Sequence, residues 1–438
     1  KLIPHTYQTQ GTYAIKVTGQ IPGWSCHVTQ LLTEEQCREI VSNRDLPWYE
    51  EICSNEYCDS NDSACIDECI ETHLTIDTED CLNYNDFYVC NESLGNYTEE
   101  LYPYSEARLL KIRSFGDVAL APQTFYNASL LETVSDIDIP NADFLTDASF
   151  MFAYLSSFNS DLSRWDTSNV TNMASMFSSA YMFNSDLSRW DTSNVTNMAS
   201  MFSSARSFNQ NISQWNTSNV TNMSSMFSGA SSFNQPIGSW NTANVTNMSS
   251  MFSNASGFNQ YIGGWNTANV TSMSYMFSNA SGFNQSIGGW NTANVTNMAS
   301  MFYNARNFNQ SLSFNVSNVT NMNSMFRNAQ SMASCLSWSN SYNVQKVTDM
   351  SYMFNGATSF TGCGMTSWKT STSLRNISYM LYNAPMFNST LTNWVVTGVT
   401  SYSNAFKGSG LTTGNFNTMK NNNSGWANLN ATTLGAPI

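Results

Sequence analysis

The sequence predicts a repeat solenoid. Each of about twelve rungs holds a short parallel strand and a helical turn, and a small disulfide-rich N-terminal region precedes them. Two observations carry this reading. Trp165, Trp190, Trp215, Trp240, Trp265 and Trp290 recur every 25 residues. Val170, Val195, Val220, Val245, Val270 and Val295 keep the same interval, as do the Met-Phe pairs from Met176-Phe177 to Met301-Phe302. A fixed period of this size marks a stacked array. In the unit around Trp190 the apolar positions are Phe183, Leu187, Trp190, Val195, Met198, Met201 and Phe202. One such unit cannot close a core by itself, so stability has to come from contact between neighbours.

Ahead of the array, residues 1–19 alternate Tyr13, Ile15 and Val17 after a turn at Gly11, which is a strand pattern. His5, Tyr7, Gly11, Tyr13 and Val17 resemble the closing end of a PKD-like β-hairpin. Residues 20–105 form an acidic, Cys-rich region with Cys26, Cys37, Cys53, Cys58, Cys65, Cys69, Cys81 and Cys90. Within it, Thr33-Glu34-Glu35-Gln36 before Cys37, Ile40 and Val41 reads as a capped short helix. The spacings Cys53-x4-Cys58 and Cys65-x3-Cys69 lack the tight paired knuckles of structural zinc sites, so disulfides are expected, in a pairing that sequence cannot choose. Asp59, Asn61, Asp62, Asp67 and Glu68 could hold a calcium ion. They lack the glycine and closing Glu of an EF-hand, and a solvated acidic loop is the better reading. No other cofactor is called for.

The array is expected over residues 106–406. Its rungs are marked by Phe125, Phe152, Phe177, Phe202, Phe227, Phe252, Phe277, Phe302, Phe326, Phe354, Leu381 and Phe406. The intervals are 25 residues from Phe152 to Phe302, then 24, 28, 27 and 25. Within a rung, Asn/Asp-Thr-Ser/Ala-Asn is turn chemistry. The Val-Met-Met spacing in VTNMSSMFS reads as the helical turn, and the segment from Phe-Asn to Trp as the short strand. Gly263, Gly264, Gly288 and Gly289 fall just before a Trp, where backbone must turn or pack closely. Residues 407–438 lose the period but keep Leu411, Phe416 and Trp426, as expected of a cap with neighbours on one side only. Cys335 lies nine residues after Phe326 and Cys363 nine after Phe354, the same place on consecutive rungs. Stacked strands are about 4.7–4.9 Å apart, within reach of a disulfide, so these two cysteines are expected to pair.

The motif W-[DN]-T-[SA]-N-V-T-[NS]-M-x-x-M-F-x-x-A-x-x-F-N-Q-x-[IL] closely resembles the BspA-like leucine-rich-repeat surface proteins, over roughly residues 106–430. The resemblance implies an extracellular or surface-attached protein acting in adhesion, coats or host contact. The Cys-rich segment 26–90 departs from a plain repeat protein of that family.

Charge and motifs narrow the function. The net charge is −14: residues 1–150 carry 26 Asp+Glu against 7 Lys+Arg, and residues 151–438 carry 5 against 10. Neither part has the clustered basic face that nucleic acid requires. No apolar run reaches the roughly 18 residues of a membrane span. The chain opens at Lys1, the expected look of a processed or excised segment. Cysteine density in the head fits an oxidising, secreted setting, as do sequons at Asn91, Asn96, Asn127, Asn254, Asn376 and Asn388. His5, His27 and His73 sit beside no nucleophile motif, and GxSxG, P-loop and HExxH motifs are absent, so the chain is not expected to be an enzyme.

The Trp and Met stripes read as core. Asn184, Asn209, Asn234, Asn259, Asn284 and Asn309 follow a core Phe and read as an internal amide ladder. Asn169, Asn194, Asn219, Asn244, Asn269, Asn294 and Asn318 head Asn-Val-Thr sequons expected to stay mostly unmodified. The expected role is structural or adhesive, with a protein or glycan at a cell surface, or a second copy of the chain in a fibre or coat, as partner. The alternative is an ice-binding face made of Thr167, Asn169, Thr171 and their equivalents.

Overall fold

A computed structural model describes residues 120, 122–128, 131, 133, 134, 145–336, 338 and 344–437. The expected hairpin of residues 1–19 and the Cys-rich region of residues 20–105 lie outside the described residues.

Successive repeats lie one above another in parallel register. A file of bridges runs Asp147, Asn172, Asn197, Asn222, Asn247, Ser272, Asn297, Asn321, Asp349, Asn376, Ser401, each residue paired with the next. Backbone bonds around each bridge follow one scheme. In the rung of Phe202, the N–H groups of Met198, Ser200, Phe202 and Ser204 donate upward to the carbonyls of Asn222, Ser224, Met226 and Ser228. The N–H groups between them, on Met201, Ser203 and Ala205, donate within the rung to Met198, Ser200 and Phe202.

This alternation is why the Val-Met-Met segment is a run of overlapping turns and not the helical turn expected from its spacing. An α-helix would send every N–H four residues back along its own chain, whereas here every second one is committed to the next rung. The geometry needs left-handed backbone at two places per turn run, such as Ser200 (φ 57°) and Ser204 (φ 60°). Serine, asparagine and glycine fill most of those places because left-handed backbone is costly for larger side chains. The segment from Phe-Asn to Trp differs from expectation too. Among the described residues it forms no bridge, and rungs are tied there mainly by side chains: the Asn209 N–H donates to Asn184 Oδ1 at 2.8 Å and Gln210 Nε2 to the Asn184 carbonyl at 2.6 Å.

The core is a set of vertical aromatic files. Phe177, Phe202, Phe227 and Phe252 stack with centroids 5.5–5.8 Å apart. Phe183, Phe208, Phe233 and Phe258 form a second file at 5.9–6.0 Å. The two meet within each rung, Phe202 lying 3.9 Å from Phe208. The tryptophans form a third file, buried to 3–4 % exposure from Trp165 to Trp290. Each indole N–H from Trp190 to Trp290 reaches down to a leucine or isoleucine carbonyl, as Trp215 does to Leu187 at 3.0 Å. The file tolerates Phe314 at the next rung.

Of the glycines before the tryptophans, only the first of each pair is closely packed in its own rung, and serine holds the equivalent place at Ser163, Ser188 and Ser213. A Cβ on Gly263 would lie 2.5 Å from the Ser286 carbonyl oxygen, and one on Gly288 2.8 Å from that of Ser311. Gly264 and Gly289 face open space.

Three short helices close the stack: α1 Thr413–Asn422, α2 Ser424–Ala427 and α3 Ala431–Leu434. Each begins on a side-chain cap, Thr412, Asn423 and Asn430 accepting the N–H of Asn415, Gly425 and Thr433. The carbonyls of Thr433 and Leu434 take the upward N–H groups of Asn404 and Phe406, the last rung's open donors. Trp426 is fully buried and donates to the Leu391 carbonyl at 3.0 Å, in the manner of the internal tryptophans. The cap thus buries Trp426 completely, its ring tilted against Phe406 at 5.8 Å, where a cap residue was expected to be covered on one side only.

Candidate functional site

The vertical register decides where each sequence-derived site residue falls. Cys335 and Cys363 are joined by a disulfide with Cα atoms 4.7 Å apart, and beside it the Leu336 N–H donates to the Cys363 carbonyl. Cys26, Cys37, Cys53, Cys58, Cys65, Cys69, Cys81 and Cys90 lie outside the described residues, as do the sequons at Asn91 and Asn96 and the calcium candidates. Among the described residues no group of three or more His, Cys, Asp or Glu could hold a metal ion.

The remaining sequons differ in how far their amides are committed. Asn127 and Asn254 are exposed, at left-handed φ of 59° and 58°. Asn254 Nδ2 donates to Ser253 Oγ, and its Oδ1 accepts from Asn279. Asn376 is half-buried in the bridge file, its Oδ1 holding the Ser378 N–H. Asn388 Oδ1 accepts from the Thr412 N–H and from Asn415 Nδ2. In the Asn-Val-Thr sequons, Asn194, Asn219, Asn244, Asn269 and Asn294 each donate Nδ2 at 2.7 Å to the carbonyl of the rung below. That nitrogen is the one a glycan would take.

The threonine and asparagine face has two outward files where three were expected. Thr167, Thr192, Thr217, Thr242, Thr267 and Thr292 are buried to 1 % or less, their hydroxyls donating to carbonyls one rung up. Only Asn194, Thr196 and their equivalents reach solvent. The Thr196 hydroxyl is itself turned inward, onto the Thr171 carbonyl at 3.2 Å.

The outward surface changes character along the edge formed by the overlapping turns. One residue beyond the Met-Phe pair, the file is serine from Ser178 to Ser278 and then becomes Tyr303, Arg327, Asn355, Tyr382 and Lys407. Two residues before the phenylalanine, serine gives way to Tyr275, Tyr352 and Tyr379. These departures from the repeat meet in space. The Arg327 guanidinium lies between the rings of Tyr303 at 5.6 Å and Tyr352 at 4.9 Å. Tyr352 stacks on Tyr379 at 5.0 Å, and Tyr379 meets Tyr382 at 5.5 Å. Arg327 Nε is buried with no hydrogen-bond partner, so the aromatic faces are what hold the cation. Beside Tyr303 runs a shallow open groove lined by Asn279, Ser281, Asn304 and Arg306. Toward the other end are two separate pairs: Tyr126 meets Tyr154 at 5.3 Å, and Arg206 covers Tyr181 at 4.9 Å.

The strip lies outside the regular ladders that the repeat period picks out. The available signal was the substitution of serine by tyrosine or arginine at fixed positions of the repeat. Chemically the strip offers planar, half-buried rings and a guanidinium with free outer N–H groups, a composition suited to protein interfaces. Among titrating groups in the array, Asp166 is held below the usual carboxylate range by hydrogen bonds from the Ser168 hydroxyl and N–H.

The geometry defines the chain as a repeat protein with an ordered vertical register. The model of the family described as "Mycoplasma protein of unknown function, DUF285" matches residues 121–240, 226–340 and 312–422. These matches take in well over half of the 438 residues, and the chain belongs to that family. No curated protein matches it. Among the described residues no helix is long and apolar enough to cross a membrane.

Proposed function

We propose that the chain is a leucine-rich-repeat-like solenoid of the BspA-like kind, working outside the cell as a structural or adhesive surface protein. The observation that carries the reading is the strip from Tyr303 to Tyr382, a rigid aromatic and cationic surface set into an otherwise Ser/Asn/Thr edge. Its rings are held by rungs locked through backbone bonds, so little conformational freedom is lost when a partner binds. Tyrosine and arginine are also the residues that most often dominate interface energy.

The test has two parts. Impermeant biotinylation of intact cells that make the protein should label it, and beads coated with the full chain should adhere to those cells. The double variant Tyr352→Ala/Tyr379→Ala should reduce adhesion severalfold while keeping the wild-type circular dichroism. Protein labelled only after lysis would overturn the extracellular assignment. Adhesion unchanged in the double variant would overturn the assignment of the surface.

A further inference from the structure

We infer that the Arg327 strip is the docking surface for the acidic N-terminal region, residues 20–105, of a second copy of the chain, so that copies join head to tail. The inference rests on the interaction-surface reading above and names its partner.

The argument is charge complementarity together with position. From Arg306 to Lys420 the chain carries seven cations, Arg306, Arg327, Lys346, Lys369, Arg375, Lys407 and Lys420, against the single carboxylate Asp349. That carboxylate is already engaged by the Ser351 N–H and hydroxyl. Residues 1–105 carry 19 Asp+Glu against 4 Lys+Arg. Arg327 is the cation best placed to receive a carboxylate. Its guanidinium is pinned between two rings, its planar fork suits bidentate contact, and no described hydrogen bond or ion pair occupies it. Arg306 lines the adjoining groove, and exposed Lys407 continues the file beyond Tyr382.

Position is compatible with a second copy. The acidic region joins the array before the rung of Phe125, eight rung intervals below Arg327, or about 38 Å at the usual strand spacing. A contact between a surface near one end and a segment attached at the other is heterologous. When its rotation does not close, it builds an open filament.

Mixed 14N- and 15N-labelled full chains, treated with a carbodiimide that couples carboxylates to lysines, test the inference directly. Peptides linking an Asp or Glu of residues 20–105 to Lys407 in light–heavy pairs are expected. Such links confined to same-label pairs would place the acidic region on its own array and overturn the second copy as occupant. Links that avoid Lys407 altogether would overturn the strip. Sedimentation velocity gives the second reading: Arg327→Glu should weaken self-association about tenfold or more. Raising salt from about 0.05 to 0.5 M should weaken it in the wild type as well. Self-association that survives Arg327→Glu unchanged would remove the strip as the contact. A wild type that stays monomeric without inter-copy links would remove the head-to-tail contact, and the bead assay would still decide the surface reading on its own.

Discussion

Replacing Trp215 by alanine should be among the most damaging single changes in the array. The indole is 4 % exposed and stacks nearly parallel between Trp190 at 6.4 Å and Trp240 at 6.5 Å, with Phe202 at 6.1 Å. Truncating a buried tryptophan costs about 3–5 kcal/mol. The indole N–H also holds the Leu187 carbonyl at 3.0 Å. Leaving a buried acceptor unpaired costs about 1–3 kcal/mol, part of which the truncation figure already contains. A total of about 4–6 kcal/mol is therefore expected. Trp215→Phe separates the two parts, since it keeps a ring in the file and loses the donor. It should cost about 1–3 kcal/mol, and Phe314 shows that the file accepts that side chain. Urea unfolding followed by circular dichroism, with amide exchange at Met198, Ser200 and Phe202 to localise the opening, measures both. An alanine variant within about 1 kcal/mol of wild type would refute the claim that the tryptophan file carries the core.

Four further outcomes follow from the same geometry. Trp426→Ala should cost as much as Trp215→Ala, because Trp426 is fully buried and makes the same indole bond; a clearly smaller midpoint shift would restore the one-sided cap. Reducing the Cys335–Cys363 bridge should lower stability by roughly 3.5 kcal/mol in the chain-entropy model for a separation of 28 residues, measured as the difference between Cys335→Ser/Cys363→Ser and wild type. Gly263→Ala should cost about 1–3 kcal/mol through contact with the Ser286 carbonyl, while Gly264→Ala should be neutral or stabilising by up to about 1 kcal/mol, a contrast read from paired melting curves. Asp166 has a lowered folded-state pKa, so its contribution is present above the ordinary carboxylate range and fades as pH falls through the folded value. Asp166→Asn should lessen that acid-limb loss and keep the turn, since Asn216 and Asn241 hold the same N–H two residues on.

The sequence makes the vertical relations legible and the path within a rung illegible. Identical spacing of Trp190, Trp215 and Trp240 tells which residues stack, because a strict period leaves no other alignment. It says nothing of whether Met198 to Phe202 turns by bonding along its own chain or to its neighbour, and both choices put Val195, Met198 and Met201 inside. The alternation of upward and within-rung donors settles that, and it comes from backbone groups that every residue shares. The inward turn of Thr192 was hidden for a related reason. A threonine with an exposed-looking composition is buried because its hydroxyl has a carbonyl waiting one rung up. The Arg327 strip was readable only as a set of departures: Tyr303 and Arg327 stand where earlier repeats carry serine, and Tyr352 and Tyr379 likewise break a serine file.

The central claim, that side chains one repeat apart stand directly above one another along the outward edge, is tested most directly by paired cysteines. The file of Arg327 contains Ser178, Ser203 and Ser228 in consecutive rungs. Adjacent rungs bring Cα atoms to about 4.7–4.9 Å, and the native Cys335–Cys363 pair, at 4.7 Å, is an internal standard. The double variant Ser178→Cys/Ser203→Cys should form a new disulfide under mild oxidation. Ser178→Cys/Ser228→Cys, two rungs apart and beyond the roughly 7 Å limit, should stay reduced within the monomer. Equal cross-linking of both pairs, or of neither, would contradict the register.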